Sequence, residues 1–216
     1  MNTQKLTIIT AIVAALLAIG GYFAIQNNKT STDAVMVGDL NLAGQPSIGN
    51  ENAAVKVAVF EDFKCPVCKR FEDTVFPKLK ADYIDTGKIE FYFFNFAFIG
   101  PDSTTAAIAT ECVYEQDEDA FWEYQKLVFD NQGDERTQWA TKSLLVDLAN
   151  QVSEVDVAKL EECISSGKYD QEVRDDKNMG VSVGVQGTPT VYVDGQPVRA
   201  SLDYNAIKSA IEAKLK

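Results

Sequence analysis

The stretch EDFKCPVCKRFE, residues 61–72, places Cys65 and Cys68 with two residues between them. Upstream, the run VKVAVFEDF that begins at Val55 is β-branched and aromatic, and it is short enough for a buried strand. Downstream, apolar residues recur at intervals of three and four as far as Tyr83, which favours a helix from Cys65 onward. The two cysteines are therefore predicted to lie where a strand leads into a helix.

Three kinds of chemistry are open to a cysteine pair with this spacing. A zinc site takes four ligands, usually in close pairs, but the sequence has no histidine and its other cysteines, Cys112 and Cys163, stand far apart. A structural disulfide inside so short a loop constrains little chain entropy. A redox pair is favoured, because unpaired N–H groups and the positive end of the helix dipole stabilise a thiolate at Cys65. Cys68, one turn later, can then attack a mixed disulfide held on Cys65, and we predict no metal site.

The residues around the pair have candidate roles of their own. Pro66 fits the first helical turn, where its missing N–H costs nothing. Lys64 is expected to add a positive charge beside the thiolate. Glu61 and Asp62 either assist proton transfer to Cys68 or are ordinary solvated or hydrogen-bonded turn carboxylates.

The N-terminal segment LTIITAIVAALLAIGGYFAI, residues 6–25, carries no charge. A helix of this length spans about 30 Å, the hydrocarbon thickness of a bilayer. We therefore predict a transmembrane signal anchor, with a cleaved signal peptide as the alternative. Because Lys5 precedes the span, residues 1–5 are placed in the cytoplasm and the body outside it. The expected location is the bacterial cell membrane, in single-pass form, with the body on the extracytoplasmic side, where disulfides persist.

The rest of the chain is predicted to form a linker and one folded body. Residues 26–44 are polar and rich in Asn, Thr, Gly and Asp, which is typical of a flexible linker, and the body occupies residues 45–216. A second β-prone run, KIEFYFFNFAF, follows the first helix. The sequence pattern from about residue 102 to about residue 177 predicts four short helices. The pair Asp194-Gly195 is typical of a hairpin turn. With a final amphipathic helix, this order indicates an α/β fold with a helical insertion.

Composition excludes one class of partner and narrows the chemistry. The net charge of −12 leaves no basic stripe to neutralise phosphates, so no nucleic-acid partner is expected. The absence of histidine removes the commonest general base. The chemistry must come from cysteine, carboxylate, lysine, tyrosine or hydroxyl groups.

Three segments together resemble a known family. VFEDFKCPVCKRFE, GTPTVYVDG and GQPSIGNENAAVKV, with the helical middle, are similar to the DsbA-like thiol–disulfide oxidoreductases, above all the membrane-anchored BdbD-like group. The resemblance covers the chain from about Gln45 to its C-terminus. It implies a thioredoxin fold with an inserted helical domain, preceded here by the transmembrane helix. It also implies an enzyme that needs no bound cofactor.

The resemblance implies roles for individual residues. Cys65 matches the exposed nucleophilic cysteine and Cys68 the resolving one. Pro189 matches a cis-proline loop that faces the active-site disulfide, and Thr188 before it would offer backbone hydrogen bonds to an extended substrate. Together with Pro66 and Val67, these two residues are expected to form the active-site wall that binds the substrate.

Two positions depart from relatives with known patterns. DsbA enzymes of Gram-negative bacteria carry a thiolate-stabilising histidine between the cysteines, where this chain has Pro66-Val67. Many thioredoxin-fold proteins also place a buried carboxylate six residues before the first cysteine, where this chain has Val59. The oxidising strength of the pair therefore does not follow from the sequence.

Cys112 and Cys163 both lie in the predicted helical insertion and can face its core. They are either buried free thiols or a disulfide, and outside the membrane a bridge is favoured. The bridge resembles the second disulfide of some Gram-positive and actinobacterial relatives, so we predict a structural disulfide with no catalytic role.

The function expected from these features is disulfide formation in newly translocated or unfolded proteins with thiols. By family analogy, a membrane quinone reductase of the DsbB or VKOR type reoxidises the enzyme. The alternatives are a reductase or isomerase of the same fold, or a peptide-binding chaperone module without enzymatic activity.

Overall fold

The computed structural model describes residues 36–216. The predicted cytoplasmic N-terminus at residues 1–5 and the signal anchor at residues 6–25 lie outside this part of the chain. Within residues 36–216, no helix combines the length and the apolar character that a membrane span requires.

The folded body begins earlier than the sequence predicted. A short antiparallel hairpin, with β1 at Met36–Val37 and β2 at Leu40–Asn41, lies inside the predicted linker. Leu40 and Leu42 are buried and belong to an apolar cluster on one side of the main sheet. The assignment of residues 36–44 to the linker was therefore wrong, because two leucines among polar residues are enough to anchor a segment that no periodic pattern marks.

In the described part of the chain, five strands form the main sheet in the order β3-β5-β4-β6-β7. Their bounds are β3 Ser47–Gly49, β4 Val55–Glu61, β5 Ile89–Asn95, β6 Thr190–Val193 and β7 Gln196–Val198. β4 runs parallel to β5 and antiparallel to β6. All of β5 is buried, and so is β4 except for Lys56, because both strands lie inside the sheet and are covered on both faces. The two apolar runs found in the sequence are thus the central strands.

The helix that carries the cysteine pair is shorter than predicted. It consists of α1 at Pro66–Thr74, followed by α2 at Phe76–Leu79 and a π-helical turn at Lys80–Ile84. Pro77 lies at the start of α2, where it has no N–H to donate and its ring would clash with the carbonyl four residues before it. The predicted single helix up to Tyr83 is therefore broken at Val75.

The helical insertion is longer than predicted and, within residues 36–216, contains five helices instead of four. They are α3 Pro101–Tyr114, α4 Glu118–Asp130, α5 Lys142–Ala149, α6 Val157–Ser166 and α7 Asp170–Ser182. The missed helix, α7, has the polar sequence DQEVRDDKNMGVS and buries only Val173, Asp176 and Gly180. Because it has no continuous apolar stripe, hydrophobic periodicity does not detect it.

A hairpin and a final helix complete the body. Asp194 and Gly195 connect β6 to β7 with φ values of 46° and 74°, the left-handed backbone that a two-residue hairpin turn of this kind requires. The last helix, α8 at Tyr204–Lys214, buries Ile207 and Ile211. Both isoleucines join the main apolar core, so the predicted helix covers the sheet.

A disulfide joins Cys112 of α3 to Cys163 of α6, with a Cα–Cα distance of 6.0 Å. Both half-cystines are buried, with exposed fractions of 1% and 8%. The bridge connects α6 to α3, the first helix of the insertion. It therefore ties together two helices that are 51 residues apart in sequence.

Candidate active site

Cys65 and Cys68 lie at the beginning of α1, directly after β4. Cys65 is the residue before the first helical turn, and its N–H donates to the carbonyl of Asp62 at 2.9 Å. Pro66 follows as the first helical residue, where a missing N–H is tolerated. Both cysteines are free thiols, Cys65 6% exposed and Cys68 fully buried. The cysteine predicted to be exposed is thus mostly covered.

The surroundings of Cys65 stabilise its thiolate. The Cys68 thiol, the Thr188 side chain and the N–H groups of Cys68 and Val67 lower the pKa of Cys65 from 9.0 to about 6, against the opposing effect of burial. The Sγ atom of Cys65 lies 3.4 Å from the carbonyl oxygen of Thr188, to which the protonated thiol donates. The Cys68 thiol, Thr188 and two N–H groups of the helix start thus together outweigh the effect of burial on Cys65.

The surroundings of Cys68, in contrast, stabilise its protonated thiol. Burial raises the pKa of its thiol well above 9.0, and its hydrogen bond to Cys65 and the negative charges of Glu61 and Cys65 raise it further. Near neutral pH the reduced pair is therefore one thiolate and one thiol. This is the arrangement in which one sulfur attacks and the other resolves.

Lys64 does not supply the positive charge that the sequence predicted beside the thiolate. Its side chain is 3% exposed, and Nζ donates to Oδ1 of Asp102 at 2.6 Å and to the carbonyl of Thr137 at 2.8 Å. The ammonium charge is thus neutralised by a carboxylate of α3. The expectation was wrong because it considered only the neighbour in sequence and not the insertion that packs on the turn.

Asp62 is fully engaged in the turn between β4 and α1. Its carboxylate accepts from the N–H groups of Lys64 at 2.8 Å, Phe98 at 2.8 Å and Ile99 at 3.0 Å. These three backbone donors commit the Asp62 carboxylate to the turn. Of the two roles considered for Asp62, the structure supports the hydrogen-bonded turn carboxylate.

Glu61 is the opposite case. It is 0% exposed, and within residues 36–216 its carboxyl oxygens accept from no backbone N–H; the carboxyl group lies beside that of Glu72, with which it shares a hydrogen bond when one of the two is protonated. Burial raises its pKa well above 4.5, and the charges of Glu72 and Cys65 add to this effect. The carboxyl group is close enough to Cys68 to raise the pKa of that thiol.

Glu72 was missed in the sequence, although it lies four residues after Cys68 on the same face of α1. It is 9% exposed, and burial raises its pKa to about 8. Gln125 of α4 stands beside it. The helical spacing from Cys68 was the available signal. Glu61 and Glu72 thus supply the buried carboxyl groups that seemed to be missing when Val59 was compared with other thioredoxin-fold proteins.

The loop before β6 forms the wall opposite the cysteine pair. The Thr188–Pro189 peptide bond is cis. Val67, Thr188 and Pro189 line one open groove of about 490 Å³, so the structure brings these three predicted residues together. The other lining residues were not predicted; they are Arg199, Ala200, Ser201, Leu202 and Asp203. No sequence pattern marks this last segment, because it becomes part of the site only through the β6–β7 hairpin.

Metal ligands are not assembled in the part of the molecule that is described. No three His, Cys, Asp or Glu side chains in residues 36–216 come together in a way that could hold a metal ion. The site offers two thiols, two buried carboxyl groups and an open groove.

Comparison with known proteins gives the same picture. A thioredoxin family model matches residues 41–213. Disulfide bond formation protein D of Bacillus subtilis is 38% identical over 192 residues, which are 88% of this chain and 86% of the relative. A probable disulfide bond formation protein D of Bacillus anthracis is 37% identical over 94% of this chain and 93% of the relative.

Two solved structures are similar in both fold and sequence. Oxidised BdbD from Bacillus subtilis matches with a TM-score of 0.77 and 37% identity, over 80% of this chain and 93% of that protein. DsbA from Chlamydia trachomatis matches with a TM-score of 0.74 and 27% identity, over 81% of this chain and 93% of that protein.

Proposed function

We propose that this chain, which belongs to the DsbA-like thiol–disulfide oxidoreductases of the thioredoxin family, introduces disulfides into secreted or surface proteins. The reaction takes place at Cys65 and Cys68. The observation that carries this proposal is the opposed pKa shift of the two thiols, lowered at Cys65 and raised at Cys68. A stabilised thiolate favours the reduced form of the enzyme, and this favours transfer of the disulfide to the substrate.

The reaction proceeds by two thiol–disulfide exchanges. A substrate thiolate attacks Sγ of Cys65 in the Cys65–Cys68 disulfide, which forms a mixed disulfide on Cys65 and releases Cys68 as a thiolate. Because Cys68 is buried and its pKa is raised, this thiolate takes up a proton, which the buried Glu61 carboxyl, whose own pKa is raised, supplies. A second substrate thiolate then attacks the substrate sulfur of the mixed disulfide. Cys65 leaves as a thiolate, and two electrons have passed from substrate to enzyme.

The proposal extends to the partners and the location. The groove lined by Val67, Thr188 and Pro189 receives an extended segment of a newly translocated or unfolded protein. A membrane quinone reductase of the DsbB or VKOR type accepts the two electrons and regenerates the disulfide. The apolar segment at residues 6–25 anchors the enzyme in the cell membrane, with residues 1–5 in the cytoplasm and the body outside.

Trapping in cells tests the reaction and names the partners. In full-length Cys68→Ala, the mixed disulfide on Cys65 can no longer be resolved from within the enzyme. We expect reducible adducts with secreted proteins and with a membrane reductase, identified by mass spectrometry after purification without reductant. The matched control is Cys65→Ala/Cys68→Ala, which should form none. Adducts in equal amounts from both variants would refute the assignment of Cys65 as the nucleophile.

The direction of electron flow is tested by the equilibrium of the Cys65–Cys68 pair with a glutathione buffer. A potential near −120 mV is typical of a strong oxidant of this family, and one near −270 mV is typical of thioredoxin. We expect a value well above that of thioredoxin. A thioredoxin-like value would contradict disulfide formation and support the reductase alternative.

The anchor is tested by fractionation. Full-length protein should sediment with membranes and resist extraction at high salt, whereas a chain that begins at residue 26 behind a cleavable signal should be released. Release of both forms at high salt would contradict a spanning segment.

A further inference from the structure

The groove beside the cysteine pair contains a positively charged side chain that takes no part in the proposed exchange reaction. Its lining, from Val67 and the Thr188–Pro189 loop to residues 199–203, contains one cation, Arg199, and one anion, Asp203. All other lining side chains are uncharged. Charge in the groove is therefore decided by these two residues.

Asp203 is already occupied. Its carboxylate accepts from the N–H of Asn205 at 2.9 Å and caps the N-terminus of α8. This geometry directs the carboxylate to the helix start, where the helix dipole also stabilises it. Asp203 and Arg199 do not form an ion pair, although both line the same groove.

Arg199 is exposed and, within residues 36–216, has no carboxylate partner within ion-pair distance. A guanidinium is charged at every physiological pH and presents a planar set of donors that matches a carboxylate. The side chain is therefore free to bind an acidic group that enters the groove.

The rest of the protein has the opposite charge. The net charge is −12, so a substrate segment with acidic side chains is repelled by most of the surface. A carboxylate next to a cysteine also raises the pKa of that thiol, which reduces the fraction of reactive thiolate. The positive charge of Arg199 at the groove reduces both the repulsion of an acidic segment and the rise in the pKa of its cysteine.

We infer that Arg199 determines substrate preference, and that the groove favours extended segments in which an Asp or Glu lies next to the reacting cysteine. This inference rests on the proposed function, because it concerns the substrate of the same exchange reaction. The carboxylate pairs with the guanidinium of Arg199 while the substrate thiolate attacks Sγ of Cys65. The bonds made and broken are those of the exchange already described, and Arg199 takes no part in electron or proton transfer.

The test uses oxidised full-length protein and three peptides. Each peptide has two cysteines and differs from the others only in the residue that follows each cysteine, which is Asp, Asn or Lys. The second-order rate of peptide oxidation is measured at pH 7 by acid quenching, alkylation of the remaining thiols and mass spectrometry. Exposed ion pairs contribute about 0.2–1 kcal/mol, so a preference of roughly two- to fivefold for Asp over Lys is expected at low salt. At about 1 M salt the preference should largely disappear.

Variants separate a charge effect from a structural one. Arg199→Gln should remove the preference for the Asp peptide over the Lys peptide. Arg199→Glu should reverse the preference in favour of the Lys peptide. Arg199→Lys, which keeps the positive charge, should keep most of the preference for the Asp peptide. Arg174→Gln removes the same charge from an exposed position on α7 outside the groove and should behave like the wild type.

Three results would contradict the inference, and one of them would also contradict the proposed function. Oxidation of all three peptides at equal rates by the wild type would overturn the inference and leave the proposed function intact. An equal loss of rate for all three peptides in Arg199→Gln would also overturn it, since it would indicate a structural role. Failure of the wild type to oxidise any peptide would refute the proposed function and the inference together.

Discussion

Cys65 and Cys68 lie one helical turn apart, yet their surroundings shift their pKa values in opposite directions. Cys65 faces N–H donors, a neighbouring thiol and the Thr188 side chain, and these interactions outweigh its burial. Cys68 is fully buried, and the groups around it that carry charge are acidic. The asymmetry of the pair is thus a property of a few contacts around each sulfur.

The first prediction concerns the ionisation of Cys65. In the reduced protein, alkylation of Cys65 by iodoacetamide should increase with a midpoint at about pH 6, while Cys68 stays unreactive through pH 9. Because the Cys68 thiol makes the largest contribution to the lowered pKa, Cys68→Ala should move the Cys65 midpoint upward. Peptide mapping by mass spectrometry measures both. A wild-type midpoint near 9 would contradict the prediction.

The same shift has a consequence for stability. An unfolded chain releases the Cys65 proton near pH 9, whereas the folded reduced chain releases it near pH 6. The free energy of unfolding of the reduced protein therefore rises, relative to the oxidised protein, from about pH 6 to about pH 9. This gain is fully present above pH 9 and is lost as the pH falls through about 6.

The second prediction concerns the two buried glutamates. In the unfolded chain Glu72 ionises near 4.5, but burial keeps it protonated in the folded chain up to about pH 8. The free energy of unfolding should therefore fall from about pH 4.5 to about pH 8. Glu72→Gln removes the titration. The variant should match the wild type at pH 4 and be on the order of 1–3 kcal/mol more stable at pH 8.

Urea unfolding at a series of pH values measures this difference. Glu123→Gln, at an exposed position of α4, is the matched control and should change neither curve. Glu61→Gln should also be more stable at pH 8, but it should slow peptide oxidation because Cys68 loses its buried proton donor. Equal pH profiles for Glu72→Gln and the wild type would show that Glu72 ionises normally in the fold.

At the scale of elements, the turn between β4 and α1 is held from two sides. Asp62 connects it to the backbone that follows β5 through its bonds to Phe98 and Ile99. Lys64 connects it to α3 through the ion pair with Asp102, whose other oxygen accepts from the N–H of Ala140 at 3.2 Å. The insertion therefore positions the turn that carries Cys65, in addition to covering the sheet.

The third prediction tests this connection. Lys64→Met keeps most of the side-chain volume but leaves the Asp102 carboxylate buried without its cation. Loss of one partner of a buried pair costs about 3–5 kcal/mol of unfolding free energy. The control is Lys142→Met, which breaks an exposed pair with Glu161 and should cost about 0–1 kcal/mol. Denaturant unfolding of both variants measures the difference, and equal losses would contradict the structural role of Lys64.

At the scale of the whole molecule, the Cys112–Cys163 disulfide links two helices of the insertion across 51 residues of chain. The link restricts the unfolded chain far more than the cysteine pair of the active site can, because that pair closes a loop of only a few residues. The four cysteines thus divide into a structural pair and a chemical pair.

The fourth prediction follows from this division. Cys112→Ala/Cys163→Ala should lose about 4 kcal/mol of unfolding free energy, from the chain entropy of a loop of this length. Its rate of peptide oxidation at 25 °C should stay that of the wild type. Cys65→Ala/Cys68→Ala is the reciprocal control, which should lose all oxidation and little stability. Unfolding midpoints within error of the wild type for the first variant would show that the bridge does not stabilise the fold.

The local patterns of the sequence were sufficient for most elements and for the reacting groups. The strand from Val55, the hairpin at Asp194-Gly195, the last helix and the positions of Cys65 and Cys68 were all predicted, and the structure has each of these elements. Such features depend on residues that are close in sequence, because periodicity, turn residues and helix starts are local. Family resemblance added the loop of Thr188 and Pro189.

What tertiary structure decided is the environment of each charged group. The sequence does not distinguish Glu61, buried beside the Glu72 carboxyl, from Asp62, which accepts three backbone N–H groups, although the two are neighbours. Nor does it show that Lys64 pairs with Asp102, or that Arg199 lines the groove without a partner in the described chain. Burial and pairing depend on elements that are distant in sequence and meet only in the fold. The sequence by itself therefore determined which residues we propose to react, and the packing of the insertion and of the β6–β7 hairpin decided the charges that surround them.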